Sequence, residues 1–156
     1  MTLSRGGDDA NEFPHGSCEG QGKNPPGGGT GCGWINVNEE SYYIRPSANL
    51  NNANLNGANL SGAMLNGASL AGSHANDANL TYAHLISADL TNTNLTGANL
   101  LLAYLSGANL TNTNLTGANL ISATLWQTNP TGVKADSSTI CPNRVKWGTK
   151  GNNCGF

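Results

Sequence analysis

Leucine recurs along this chain at an interval of five. It stands at Leu50, Leu55, Leu60, Leu65, Leu70, Leu80, Leu85, Leu90, Leu95, Leu100, Leu105, Leu110, Leu115, Leu120 and Leu125, and the series is interrupted once, by Ala75. Two residues before each of these positions sits a small residue, Ala in thirteen of sixteen units and Ser73, Thr93 and Thr113 in the other three. The residue between the two is polar in most units, Asn above all, and the two that follow are rich in Gly, Asn, Ser and Thr. A period of five matches neither the helical 3.6 nor the strand period of two. It does match a short extended piece followed by a corner. In extended backbone the small residue and Leu, two apart, point to one side and the residue between them to the other. The polar pair then supplies turn chemistry.

A longer period lies over the first. Thr-Asn-Thr-Asn-Leu-Thr-Gly-Ala-Asn-Leu at 91–100 returns unchanged at 111–120. A lag of 20 is four units, so four short edges predict one closed turn, with the next turn lying over it. Leu would then fill the interior from four sides, and successive turns would pair their backbones. Such a repeat cannot bury its apolar face alone, so the fold depends on stacking.

Residues 48–127, sixteen consecutive A-N-L-x-x units, resemble the pentapeptide repeat family, whose A-[DN]-L-x-x units wind into a right-handed quadrilateral β-helix. The resemblance implies an all-β solenoid of about four to five coils. It leaves two flanks, 1–47 and 128–156, as irregular caps on the open ends, the first rich in Gly. The five-residue frame can be continued from Leu125 through Pro130, Ala135, Ile140 and Val145, with Thr128, Val133, Ser138 and Asn143 two residues earlier. That continuation would be a degenerate fifth coil.

Composition alone points elsewhere. Leu, Ile, Val and Phe make up 28 of 156 residues, under the roughly 20% at which disorder becomes a serious prior. Disorder also requires strong net charge, and this chain carries −2. The regular spacing of the leucines decides for a folded chain. No apolar run approaches the roughly 18 residues that cross a bilayer, so no membrane span is expected. The start, Met1 to Asp9, has no apolar stretch of an export signal. With seven Lys and Arg in all and no basic cluster, nucleic acid is a poor partner.

The four cysteines, Cys18, Cys32, Cys141 and Cys154, all lie outside the repeat, two in each flank. Four cysteines allow three pairings. Pairing within each flank is favoured, because short polar segments without a core need a staple. The Thr-Ile-Cys-Pro-Asn segment at 139–143, followed by Gly-Asn-Asn-Cys-Gly-Phe, also resembles the tail of exported bacterial pentapeptide proteins that carry a similar Cys pair. Disulfides imply the periplasm, a thylakoid lumen or the cell exterior. A cytoplasmic protein with four thiols is the alternative.

Catalytic chemistry is not expected. The repeat holds only two charged residues, Asp77 and Asp89, and His74 and His84 fall on opposite faces of the twenty-residue frame. No nucleophile and base come together. Gly27–Gly29 lacks the Lys and Ser/Thr of a phosphate loop. His15, Cys18 and Cys32 have poor spacing for zinc and no evident fourth ligand. The Asn-Leu-Ser/Thr triplets arise from the repeat itself. No cofactor is expected. Some members of the resembled family mimic B-form DNA and bind gyrase, which needs a densely acidic surface that these coils lack.

Two surface features remain. Tyr82, Leu101, Leu102 and Ile121 project from one face and Ile86, Tyr104 and Trp126 from the next, around a shared corner, with Met64 further along. Most other outward positions are Asn, Gly, Ser or Thr. A contiguous apolar patch marks a contact site, either for the chain's own flank or for another protein. The flanks also differ in sign: six acids and three bases in 1–47, one acid and four bases in 128–156. Ends of opposite sign can associate head to tail into filaments. The sequence therefore predicts a non-enzymatic structural or interaction module, exported and self-assembling end to end, or else a binding protein that uses the apolar corner.

Overall fold

The computed structural model describes residues 32–156. It begins with a β-hairpin, β1 (Gly33–Val37) and β2 (Glu40–Ile44), paired antiparallel with Val37 opposite Glu40 and Gly33 opposite Ile44. The turn residues Asn38 and Glu39 both have positive φ, 51° and 67°, which fits the twist of a two-residue hairpin loop. An irregular cap was expected here, and the hairpin corrects that. β-Branched and aromatic residues in Trp34–Val37 and Ser41–Ile44 outweigh the glycine content of the flank as a whole.

The hairpin closes the first coil. Tyr42 and Ile44 are buried, and Ile35 and Val37 pack against the same core. In higher coils the N–H of the mid-edge residue bonds to the coil below, as His74 does to Ala53 O at 2.9 Å. Among the described residues the first coil has no coil below it. There the Tyr42 hydroxyl accepts the N–H of Asn54 at 2.9 Å, and the Asn38 side-chain amide donates to Asn54 Oδ1 and Asn56 O, each at 3.2 Å.

From residue 47 the chain climbs in coils of twenty residues. Parallel bridges link each mid-edge residue to the one twenty positions on, in four columns that begin Asn49–Ser69, Asn54–His74, Asn59–Asn79 and Met64–His84. Adjacent coils are therefore strand-spaced, about 4.8 Å apart. At each corner the N–H of the small residue donates to the carbonyl of the preceding Leu, as Ala58 to Leu55 at 3.0 Å. The second corner residue has positive φ and the first does not, the pattern of a type II turn.

The interior holds the Leu series from Leu50 to Leu120 and the small residues beside it, all buried. Each buried Leu contributes roughly 1.5–3 kcal/mol of apolar transfer. Thr93 and Thr113 occupy small-residue slots and donate to Leu70 O and Leu90 O, both at 2.8 Å, so their hydroxyls are satisfied inside. Leu125 differs from the rest of its series in being only half-buried against the core.

The fifth level keeps register at first. Asn129 bridges Asn109 and Lys134 bridges Asn114, but Asn119 pairs with Ile140, one residue late. The surplus residue lies in the corner at 136–138, where Asp136 accepts the N–H and hydroxyl of Ser138. The slip corrects the simple continuation of the frame: Thr139 and Cys141 are the buried pair, Ile140 takes the bridging position, and Val145 is exposed. The chain then folds back, with Ile140 antiparallel to Lys146. Among the described residues no bridge continues the Met64 column beyond Thr124, and Leu125 sits under that unfinished edge. Cys141 is disulfide-bonded to Cys154, and a single 3-10 turn, Thr149–Gly151, lies between them.

Candidate interaction surface

The corners explain where polar and apolar residues can stand on the outside. At each second corner residue the backbone is left-handed, which costs an L residue roughly 1–2 kcal/mol and glycine nothing. Asn and Asp tolerate it best among the rest. Most corners follow this: one column runs Asn52, Gly72, Asn92, Asn112, Gly132 and another Gly57, Asp77, Gly97, Gly117. Stacking adds a second reason for Gly, because a Cβ on Gly97 would collide with the Asp77 carboxylate of the coil below.

Ser47, Ser87 and Gln127 depart from the rule in one column, and one other column departs from it with bulky apolar side chains. It runs Gly62, Tyr82, Leu102, Ser122, with φ of 57° at Tyr82 and 59° at Leu102. Bulky side chains are uncommon in this region of conformational space. Tyr82 is half exposed, so packing does not account for its strain.

Tyr82 and Leu102 border one side of the solenoid, whose mid-edge column is Met64, His84, Tyr104, Thr124. The ring of His84 stacks on that of Tyr104, with centroids 4.8 Å apart. The opposite corner carries Ile86 and Trp126. Exposure is 50% at Tyr82, 41% at Ile86, 39% at Tyr104 and 70% at Trp126, and these are the large apolar residues that the coils leave open among the described residues. Leu101, Leu102, Ile121 and Met64 are half-buried. Tyr82, Tyr104 and Trp126 form a diagonal: each step rises one coil and moves two residues along the edge, about 8 Å from Cα to Cα. From Ser61 to Gln127 no outward position of this side is Asp, Glu, Lys or Arg.

The seven residues expected around one corner thus flank a single side, with Tyr104 at its middle and Met64 in its column rather than beyond it. The sequence reading assigned His84 no place in the patch. The signal was available, because residues twenty apart share a column and 84 precedes 104 by twenty.

The remaining candidates are placed as follows. His74 lies in the Asn54 column, away from His84. Cys141 is bonded to Cys154, and Cys32 is disulfide-bonded as well. Cys18 and His15 lie outside the described residues, as does Gly27–Gly29. A disulfide-bonded Cys32 offers no thiolate to a metal, and no group of His, Cys, Asp and Glu among the described residues could hold one. The described residues contain no helix long and apolar enough to cross a membrane. The hydroxyl and N–H of Ser138 hold the Asp136 carboxyl below the ordinary aspartate range.

A twenty-residue lag, parallel bridges in four columns and a Leu-filled interior define a pentapeptide solenoid. The family model described as pentapeptide repeats matches eight copies over residues 47–81, 76–112 and 98–134, more than half of the chain, and the chain belongs to that family. Among solved structures it is similar to a pentapeptide repeat protein of the Arabidopsis thaliana thylakoid lumen, with 28% identity and a TM-score of 0.56 over 58% of this chain and 63% of that one. It is also similar to the pentapeptide repeat protein Rfr23 of the cyanobacterium Cyanothece 51142, with 40% identity, a TM-score of 0.41, and 52% and 58% of the two chains covered. The match thus spans less than two thirds of either relative. No curated protein matches the chain. Members of this family act as structural or binding proteins, and nothing in the described residues assembles a catalytic group.

Proposed function

We propose that this right-handed quadrilateral β-helix is a non-enzymatic binding module that recognises another protein through the side bearing Tyr82, Ile86, Leu101, Leu102, Tyr104, Ile121 and Trp126. The observation that carries the reading is the left-handed backbone at exposed Tyr82 and at Leu102. Strained residues cluster where function holds them, and Gly or Asn would serve the corner with less strain. Tyr and Trp are also the residues that dominate protein contact energies. The side's neutrality argues against nucleic acid, whose binding rests on Lys and Arg. The gyrase-mimic reading finds only Asp77 and Asp89 as acids in the coils.

End-to-end self-assembly is the second reading, supported by the opposite charge excess of the flanks. Against it stand the hairpin, which meets the first coil at Asn54 and Asn56, and the tail, which pairs Lys146 with Ile140, since each covers part of an edge a stacked copy would need. The disulfides favour an oxidising compartment, and the thylakoid-lumen relative is in keeping with that.

The test is a comparison of the wild-type protein with the double variant Tyr82→Asn, Leu102→Asn as bait in extracts of the source organism. A partner held by wild type and lost by the variant, at unchanged melting temperature, supports the proposal. Identical partners for both baits defeat it.

A further inference from the structure

The second coil contains a unit unlike its neighbours, Ser73-His74-Ala75-Asn76-Asp77. Ala75 occupies the slot that holds Leu55 below it and Leu95 and Leu115 above, and all four are buried. Ala is three carbons shorter than Leu, and three carbons leave room for the roughly 30 Å³ that a water takes in the liquid. Close-packed interiors close such gaps only in part.

Beside the gap stands a hydroxyl. Ser73 is 1% exposed, and its Oγ has no hydrogen-bond partner. Its counterparts one and two coils higher behave differently: Thr93 donates to Leu70 O and Thr113 to Leu90 O, each to the carbonyl 23 residues earlier. The corresponding acceptor for Ser73 is Leu50 O, which receives the N–H of Ala53 at 3.1 Å. A buried hydroxyl without a partner is costly, and the repeat elsewhere avoids it.

We propose that Ser73 and Ala75 form an internal hydration site that binds one water molecule inside the solenoid, held by Ser73 Oγ and a neighbouring backbone carbonyl. Leu55, Leu95 and the remaining leucines of the second coil wall it in. The polar partner selects the occupant: apolar cavities of this kind stay dry and take up xenon, whereas a polar one holds water. The Ser73→Ala variant should therefore convert the site from one that binds water to one that binds xenon.

The test is a high-resolution crystal structure of the wild-type protein and of Ser73→Ala, each with and without xenon pressurisation. The expected result is a fully occupied water within hydrogen-bond distance of Ser73 Oγ and no xenon in wild type, with the reverse in Ser73→Ala. A Ser73 hydroxyl turned directly onto Leu50 O, with Leu55 and Leu95 closed over Ala75, overturns the proposal, as does xenon in the wild-type site. Ala75→Leu gives an independent readout in solution. Filling the gap should raise the melting temperature by a few degrees, and a fall would mean that the gap is already closed.

Discussion

At the scale of single residues, the corners carry most of the information. Gly57 and Gly97 share a corner column and nearly the same φ, 67° and 68°, but a Cβ meets nothing within 4 Å at Gly57 and the Asp77 carboxylate at Gly97. Gly57→Ala should thus cost about 1 kcal/mol, the price of a left-handed alanine, and Gly97→Ala measurably more. Urea denaturation of the two variants separates the backbone effect from the collision. Tyr82→Asn puts at that corner the residue found at Asn52, Asn92 and Asn112, so its unfolding free energy should stay within about 0.5 kcal/mol of wild type. Asp136 gives a pH prediction. Its folded carboxyl is held low by Ser138, so its contribution to stability is complete above the ordinary aspartate value and fades as the pH falls through the lower folded value. An NMR titration should place its midpoint below 3.8, the ordinary value, and Ser138→Ala should move it upward. Because the carboxylate is fully exposed, the effect on global stability is small.

At the scale of elements, the ends differ from the coils in what holds them. The C-terminal tail has few buried apolar residues: Trp147 and Phe156, their rings 5.8 Å apart, rest on the core as partly buried groups. The Cys141–Cys154 bond closes a short loop of separation 13, and a loop of that size is worth about 3 kcal/mol through the unfolded chain. Replacing both cysteines by serine should speed amide exchange at Leu120 and Ser122, whose N–H groups donate to Ile140 O and Pro142 O. Leu95 and Leu100, bonded between inner coils, should stay protected. The coils were readable from the chain because period five states inside and outside at every step. The hairpin was not, since two strands of five residues give a pattern too short to stand out from the glycines before them. The slip at 136–138 was also hidden, because a surplus corner residue leaves no mark in composition; only the Asp136–Ser138 turn absorbs it.

At the scale of the whole molecule, one side without Asp, Glu, Lys or Arg and two partly covered ends bear on the two proposed readings. The patch on that side was legible in part. Outward residues follow from phase, so Tyr82 and Trp126 could be named in advance, whereas the left-handed strain at Tyr82 and the stacking of His84 on Tyr104 required coordinates. Partly covered ends predict a particle mass in light scattering that is independent of concentration and of salt, and mass growing at low salt would restore the head-to-tail reading. The surplus residue between Lys134 and Ile140 has a wider consequence. The other corners of the coils turn in two residues, so deleting Ser137 should restore a regular corner while Thr139 and Cys141 stay inside and Ile140 keeps the bridging position. The bolt that locks the last storey would keep its keeper, so this one-residue loss should be tolerated and non-reducing electrophoresis should still show the Cys141–Cys154 bond; a free thiol in the deletion variant would contradict it.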